Sequence, residues 1–222
     1  MSAEEKKIAV ILSGCGVFDG SEIHEAACTL LNIAEQGAAY QCFAPDIEQT
    51  SVVNHYTKSI EPDQSRNVLV EAARIARGNI KSLADFNPDL FDALILPGGQ
   101  GAAKNLCDFA LKGADCEVNR EVAQAINAAY DKQLPIGAVC IAPAVVARVL
   151  GKHGITVTIG NDAATAAEIE KTGARHKNCN VDDACTDRQH KIVTTPAYML
   201  ATSIAEVNAG IKKLVTEILK LS

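Results

Sequence analysis

Cys140 is the residue whose setting most clearly predicts chemistry. It lies between an apolar run that predicts a buried strand and a predicted helix start, with an alanine two positions away on each side. Small neighbours allow the tight strand-to-helix turn of a nucleophile elbow, and Pro143 suits the first turn of a helix. The free amides and dipole of that helix would lower the pKa of the thiol. We therefore predict a reactive thiolate, with a buried core thiol as the alternative.

A glycine pair, Gly98 and Gly99, follows another predicted buried strand. Paired glycines let the backbone bring its amides close to a ligand oxygen, and the amide of Ile141 follows the predicted nucleophile directly. The amides of Gly99 and Ile141 could therefore form an oxyanion hole. The alternative is a plain turn that needs glycine only for its backbone angles.

Acidic residues cluster where the first predicted helix begins, at Asp19, Glu22 and Glu25. A carboxyl group beside a thiol could take or return protons if partial burial raises its pKa. Helical periodicity, however, places Glu25 nearly opposite an apolar stripe centred on Ile23, which predicts a solvent-facing side chain. Acidic residues in a first turn are also common because they complement the helix dipole.

Other residues that could bind or react receive weaker interpretations. The glycines around Cys15 depart from the spacing of a dinucleotide fingerprint, and nearby carboxylates would repel a pyrophosphate. Cys15 could resolve an oxidised Cys140, although a structural thiol is the simpler interpretation. None of the eight cysteines shows the spacing of a zinc knuckle or a redox motif, and none of the five histidines is marked as a partner of Cys140. We expect no metal and no disulfide framework.

Alternating strand and helix patterns must position these residues. Predicted strands cover 8–12, 40–44, 92–96, 134–139 and 155–159, with a small antiparallel addition from 181–186 and 191–194. Predicted helices cover 23–34, 68–77, 118–130, 141–150, 163–171 and 197–219. This alternation predicts an α/β protein with a three-layer, doubly wound, mostly parallel sheet. Ligands bind such sheets at the carboxyl ends of the strands, here after Leu12, Leu96 and Val139.

Composition limits the function. The 222 residues are 48% hydrophobic, which suits one domain spanning 1–222. A net charge of -6 argues against nucleic acid or an anionic membrane as partner. No apolar run approaches the length of a membrane span, and residues 1–7 lack the apolar core of a secretory signal. We expect a soluble, cytoplasmic protein.

Four segments resemble one known family. They are SGCGVFDGSEIHE at 13–25, LPGGQGAAKN at 96–105, VCIAP at 139–143 and KIVTTPAYM at 191–199. They closely resemble the ElbB, or "enhancing lycopene biosynthesis", family of the ThiJ/PfpI and class I glutamine amidotransferase-like superfamily. The resemblance covers essentially the whole chain and implies a flavodoxin-like fold.

The resemblance also implies roles for individual residues. Cys140 matches the nucleophile, Glu25 the glutamate that hydrogen-bonds it, and Glu22 a second acidic position. Gly99, which is paired with Gly98, and Ile141 match the residues whose amides form the oxyanion hole. This assignment places Glu25 in the cleft, against the periodicity argument.

One departure concerns the histidine that many superfamily members place beside the cysteine. This chain has Gly160, Asn161 and Asp162 there, so a complete triad is in doubt and Asp162 is only an accessory candidate, with Glu22 and Cys15. The histidine and glutamate pair of the amidotransferases is also missing near 195–198. A glutamine amidase is therefore the least favoured activity.

The function implied is that of a cofactor-independent glyoxalase, which converts glyoxal to glycolate with no metal or thiol cofactor. Such turnover could also reflect repair of early glycation adducts on proteins. Superfamily resemblance suggests a homodimer. The alternative is a non-enzymatic redox-sensing or regulatory module linked to isoprenoid metabolism, in which Cys140 is reversibly oxidised.

Overall fold

The computed structural model describes residues 5–222. Its strands are β1 (Lys7–Ile11), β2 (Ala39–Ala44), β3 (Val53–Asn54), β4 (Ser59–Ile60), β5 (Ile80–Ser82), β6 (Ala93–Leu96), β7 (Ile136–Val139), β8 (Thr156–Val157), β9 (Arg175–His176), β10 (Cys185–Asp187) and β11 (Ile192–Thr195). Its helices are α1 (Ile23–Glu35), α2 (Val68–Ile75), α3 (Gln100–Lys104), α4 (Phe109–Lys112), α5 (Arg120–Asp131), α6 (Pro143–Leu150), α7 (Ala163–Lys171) and α8 (Ile204–Leu221). We predicted no secretory signal in residues 1–7, and the first four of these residues lie outside the described part of the chain.

The main sheet has seven strands in the order β10-β11-β7-β6-β1-β2-β5. All its pairings are parallel except that of β10 with β11. The central strands β6 and β7 are buried along their whole length, as continuous apolar runs in a parallel sheet should be. The prediction of a doubly wound, mostly parallel sheet is confirmed.

Helices cover both faces of this sheet. On one face α1, α2 and α8 pack over apolar side chains that include Ile8, Val10 and Ile95. On the other face α3, α5 and α6 pack over Ile11, Leu94 and Leu96. The alternation of side chains along each strand therefore feeds two separate cores, which gives the three-layer arrangement.

The strand order reverses at β1, which pairs with β2 on one side and with β6 on the other. A crevice forms at such a switch point, outside the carboxyl ends of the strands. The segments after β1, β6 and β7 meet there, and they carry the three motifs that the sequence analysis singled out.

Two predicted elements differ in the structure. The strand expected over 155–159 is shortened to β8, which pairs with β9 in a separate two-stranded sheet. The helix expected from 197 begins only at Ile204, because Ser203 caps it and Ala197–Met199 forms a separate 3-10 turn. This turn brings Tyr198 to the crevice. The antiparallel addition is confirmed as β10 and β11, and β11 also joins the main sheet beside β7.

In the described part of the chain, no helix combines the length and apolar character that crossing a membrane requires.

Candidate active site

Cys140 sits on the sharp turn between β7 and α6. Its φ of +61° is left-handed, a conformation that L residues other than glycine rarely adopt. The backbone N–H of Cys140 donates to the carbonyl of Thr195 at 2.9 Å, which ties the turn to the end of β11. Ala197, just beyond that strand, also has a positive φ of 44°. Such unfavourable conformations persist where the surroundings impose them, and they cluster at functional sites.

Gly98 fits against the nucleophile because it has no side chain. A Cβ at this position would lie 2.5 Å from the Cβ of Cys140 and 2.6 Å from Oε2 of Glu25. Its neighbour Gly99 has a φ of +98°, and a Cβ there would collide with the backbone N of Glu22 at 2.3 Å. The glycine pair thus serves close approach as well as backbone angle, so the plain-turn interpretation is insufficient.

Glu25 lies in the first turn of α1 and is completely buried. The periodicity argument for a solvent-facing Glu25 is therefore wrong, and the supposed core residue Ile23 is instead 47% exposed. The buried face of α1 runs from Glu25 through Thr29 to Asn32 and also includes Ala26, Leu30 and Ile33. Family resemblance placed Glu25 where periodicity did not.

The two carboxylate oxygens of Glu25 have different surroundings. Oε1 accepts a hydrogen bond from the backbone N–H of Tyr198 at 3.2 Å. Oε2 has no hydrogen-bond partner of standard geometry among the described residues, and it lies on the side that faces Gly98 and Cys140. If Oε2 carries a proton, it can donate a hydrogen bond to the sulfur of Cys140.

Burial raises the pKa of Glu25 to about 8, and the nearby Glu22 adds to the effect against the opposing hydrogen bond from Tyr198. Glu25 therefore holds its proton at neutral pH. Burial, followed by the charge and hydrogen bonding of Glu25, also raises the pKa of Cys140. The expectation that the helix start lowers the pKa of this thiol is wrong, because desolvation outweighs it.

The amides of Gly99 and Ile141 act in the direction that the sequence analysis expected. Both interact with the sulfur of Cys140 and oppose the rise in its pKa. They stabilise negative charge at the position of the sulfur. The structure thus brings Cys140, Glu25, Gly98, Gly99 and Ile141 together.

The accessory candidates are placed differently. Glu22 caps α1, accepting a hydrogen bond from the backbone N–H of Glu25 at 2.7 Å, and also lines the cavity in front of Cys140. Asp162 caps α7 by accepting from the N–H of Thr165, so a structural role explains it. Cys15 lies near Glu71 and Arg74 on the β1 side, and burial raises its pKa. These surroundings describe a structural thiol.

Two residues were missed by the sequence analysis. The hydroxyl of Tyr198 is hydrogen-bonded to Nδ1 of His24 at 2.8 Å, and Tyr198 lines the same cavity as Cys140. No sequence signal links positions so far apart, and the nearest clue was that His24 immediately precedes Glu25. The pair supplies a hydroxyl that lines the cavity and, bonded to it, an exposed imidazole.

The cavity in front of Cys140 has a volume of about 670 Å³. Its wall is mainly apolar, and the charged side chains in it, among the described residues, are Glu22 and Glu168. Glu168 is paired with Lys171 at 2.5 Å. Within residues 5–222, histidine, cysteine and acidic side chains form no cluster of three that could hold a metal ion.

Solved structures define the class of protein. An isoprenoid biosynthesis protein with an amidotransferase-like domain from Ehrlichia chaffeensis superposes with a TM-score of 0.89 at 36% identity, over 96% of this chain and 99% of that one. Glyoxalase III from Candida albicans superposes with a TM-score of 0.62 over 97% of each chain, but at 15% identity it shows the fold alone. The fold is that of the amidotransferase-like and DJ-1/ThiJ class, with a flavodoxin-like sheet.

Curated relatives define the family, although no protein-family model matches the chain. The human "glutamine amidotransferase-like class 1 domain-containing protein 3, mitochondrial" is 44% identical over 225 residues, covering 97% of this chain and 83% of the relative. The rat "ES1 protein homolog, mitochondrial" is 42% identical over 97% of this chain and 84% of its own length. The chain belongs to the family of these proteins.

The expectation of a cytoplasmic location is wrong. Both of these relatives, and the ES1 protein of Danio rerio at 32% identity over 88% of this chain and 77% of its own length, are named as mitochondrial proteins. The negative charge and polar start of the chain carried no information about an organelle.

Proposed function

We propose that this chain is a cofactor-independent glyoxalase-type enzyme of the ElbB kind, which converts glyoxal to glycolate. The observation that carries the proposal is the buried pair of Glu25 and Cys140, with its strained elbow and the amides of Gly99 and Ile141 beside the sulfur. A thiol, a carboxyl group with a pKa of about 8 and two amide donors are the groups that an internal aldehyde redox reaction requires.

The first proposed step forms a C–S bond. The thiolate of Cys140 adds to one aldehyde carbon of glyoxal as the C=O π bond breaks, and the two amides stabilise the oxyanion that forms. This oxyanion takes the proton of Glu25, which gives the hemithioacetal and leaves Glu25 as a carboxylate. The pair acts in its singly protonated form, because the thiol must lose a proton to attack and Glu25 must be able to exchange one. The raised pKa values mean that this form is a minority species at neutral pH.

The second step moves a proton. Glu25 removes the hydrogen from the carbon bonded to sulfur, and a proton returns to the neighbouring carbon. The first carbon is oxidised to a thioester and the second reduced to an alcohol, so no external oxidant or reductant is needed. Water then hydrolyses the thioester, which releases glycolate and restores the thiol of Cys140.

The proton that leaves the active site needs a path to solvent. Tyr198 touches Glu25 through its backbone N–H and His24 through its hydroxyl, and His24 is exposed. We propose that this tyrosine and histidine assist proton exchange at the mouth of the site, in place of the superfamily histidine.

The size of the cavity favours a larger substrate as a second candidate. A volume of about 670 Å³ falls in the range of pockets for drug-sized ligands, about 300–1,000 Å³, and far exceeds the needs of a two-carbon dialdehyde. Glu22 and Glu168 in its wall would favour a cationic carrier. These features support the same chemistry on early glycation adducts of amines or guanidinium groups.

The competing proposal is a non-enzymatic redox-sensing or regulatory module linked to isoprenoid metabolism. The name of the Ehrlichia chaffeensis structure supports this link, and the cavity wall, in the described residues, holds no histidine. The raised pKa of Cys140 weighs against it, since susceptibility to oxidation follows thiolate character. Mass spectrometry of Cys140 after graded peroxide, alongside glyoxal kinetics, separates the two.

A homodimer is proposed on superfamily resemblance. Ile23 and Leu31 on α1 are 47% and 49% exposed, and a second subunit could cover them.

Glycolate production by the wild type, Cys140→Ser and Glu25→Gln, compared at matched fold stability, tests the proposed function. We expect both variants to lose glyoxal turnover. Undiminished activity in either variant overturns the role assigned to that residue.

A further inference from the structure

Cys107 and Cys116 form a second thiol pair, remote from the mechanism above. Both are buried, with 4% and 0% of their surfaces exposed. We propose that these two cysteines are a redox modification site, at which hydrogen peroxide or another two-electron oxidant forms a reversible intramolecular disulfide.

The backbone geometry aligns the two side chains. Cys107 and Val118 form an antiparallel bridge, in which Asn119 N–H donates to Leu106 O at 2.8 Å and Asp108 N–H donates to Glu117 O at 3.2 Å. Residues separated by two positions share one face of a strand, so Cys116 lies on the same face as Val118 and diagonally across from Cys107.

The protonation of the pair is unequal. Interaction with Cys107, helped by the positive charge of Arg148, lowers the pKa of Cys116. Interaction with Cys116 and burial raise the pKa of Cys107, whose Sγ lies 3.4 Å from the carbonyl of Ala102. The positive charge that Arg148 holds beside Cys116 favours a thiolate there, so we assign Cys116 as the attacking sulfur and Cys107 as the one that keeps its proton.

Access to Cys116 is on the side away from the active site. Cys116, Arg148 and Lys152 line a surface pocket of about 410 Å³. The Nε–H of Arg148 donates to the carbonyl of Cys116 at 2.6 Å, which holds the positive charge beside this cysteine. Because the surface of Cys116 itself is fully buried, a small neutral oxidant that enters this pocket reaches the sulfur only when the surrounding side chains open locally.

The two cysteines also flank a segment that forms part of the active-site cavity wall. The segment between the two cysteines contributes Phe109, Ala110 and Gly113 to that wall. Glu168, another residue of the wall, accepts a hydrogen bond from Ala114 N–H at 3.0 Å. A disulfide would close the ring 107–116 and restrict this segment, so oxidation at the pair would stiffen the wall that faces Cys140.

The chemistry balances with peroxide as the oxidant. The thiolate of Cys116 attacks one peroxide oxygen, the O–O bond breaks, and a sulfenic acid and hydroxide form. The sulfur of Cys107 then attacks the sulfenic sulfur, the S–O bond breaks, and its proton leaves with the oxygen as water. The two thiols lose two electrons, which peroxide accepts.

Peptide mapping without reduction, after treatment of the full chain with graded peroxide, tests this proposal. We expect a peptide joining Cys107 to Cys116, the loss of both as alkylatable thiols, and their recovery with dithiothreitol. The same result is expected in Cys140→Ser, so the test does not depend on the proposed function. Free or separately over-oxidised Cys107 and Cys116, at doses where other cysteines react, would overturn the site.

Variants sharpen the test. Cys116→Ala should remove the first attack and leave Cys107 reduced, whereas Cys107→Ala should leave Cys116 as a sulfenic acid that dimedone traps. Cys42→Ala is the matched control, since Cys42 is also fully buried but burial alone raises its pKa, to about 12. This control should form the disulfide as the wild type does. A disulfide to another cysteine in either pair variant at wild-type yield would contradict the pairing.

Hydrogen exchange tests the effect on the cavity wall. In the oxidised chain the amides of 108–115 should exchange more slowly than in the reduced chain, and dithiothreitol should reverse the change. Equal exchange in the two forms would overturn the proposed stiffening of the wall.

Discussion

Glu25 and Cys140 lie on two sides of the bare Cα of Gly98, and a single Cβ there would lie 2.6 Å from Oε2 of one and 2.5 Å from Cβ of the other. Glu25 lies in helix α1, and Cys140 lies in the turn before α6. They can approach each other only because Gly98 has no side chain. Because neither is exposed enough for water to screen it, each shifts the pKa of the other.

Gly98→Ala should therefore disturb the pair directly. We expect a loss of glyoxal turnover and destabilisation by about 1–3 kcal/mol, since backbone and side-chain atoms must shift to admit the methyl group. Kinetics and urea unfolding measure the two effects. Gly137→Ala is the control, because its Cβ would meet only side-chain atoms, at 3.1 Å or more. Equal turnover in the two variants would contradict the close-approach argument.

Glu25→Gln should change how stability depends on pH. The folded carboxyl has a pKa of about 8 against an ordinary value of 4.5, so the folded state binds more protons than the unfolded chain in that window. The free energy of unfolding of the wild type should therefore fall as pH rises through the window, whereas that of the glutamine variant should not. Across this pH window, the free energy of unfolding of Glu25→Gln should rise relative to that of the wild type by on the order of 3–5 kcal/mol.

Urea unfolding at a series of pH values measures this difference. Glu206→Gln is the control with the opposite sign, because hydrogen bonds from Thr202 lower the pKa of this half-buried carboxyl. Its stabilising contribution should fade as pH falls. Parallel pH profiles for the wild type and Glu25→Gln would show that the carboxyl is not perturbed.

The pH dependence of turnover reports the same pair. Since the singly protonated pair is the active form, kcat/KM for glyoxal should rise as pH increases toward about 8, the pKa of Glu25. A rate that is constant from acid pH to beyond this value would contradict the requirement for a singly protonated pair.

Tyr198→Phe removes the hydroxyl that bonds to His24 and keeps the backbone N–H that bonds to Glu25. We expect kcat to fall by about 10-fold or more with little change in stability, because a proton-transfer group is lost while the packing remains. Tyr56→Phe is the control, since Tyr56 is 96% exposed. An unchanged kcat in Tyr198→Phe would remove this residue from the mechanism.

Most of the main sheet could be predicted from the sequence, because apolar runs and glycine stops report local structure directly. The edge strand β5 was missed, and the strand predicted over 155–159 lies outside the main sheet. The crevice after Leu12, Leu96 and Val139 followed from the general behaviour of doubly wound sheets. Helical periodicity misplaced Glu25, because α1 buries a face that also carries the polar Thr29 and Asn32 and leaves part of the apolar stripe exposed. The prediction of one domain over 1–222 stays a prediction.

The electrostatics of the site were also beyond the sequence. A helix start predicts a lowered pKa for Cys140, but burial raises it, and burial depends on distant segments. The contact of His24 with Tyr198 and the proximity of Cys107 to Cys116 also depend on how separate segments pack. Each joins residues that only the folded chain brings together.

The central claim is that Cys140 bonds covalently to the substrate. Wild-type protein quenched in acid during glyoxal turnover and mapped by peptide mass spectrometry tests it most directly. The account predicts that the Cys140 peptide gains the mass of one glyoxal, which the hemithioacetal and the thioester share, and that Cys140→Ser shows neither this adduct nor glycolate. Glycolate formed while Cys140 stays unmodified, or formed equally by Cys140→Ser, would contradict the account.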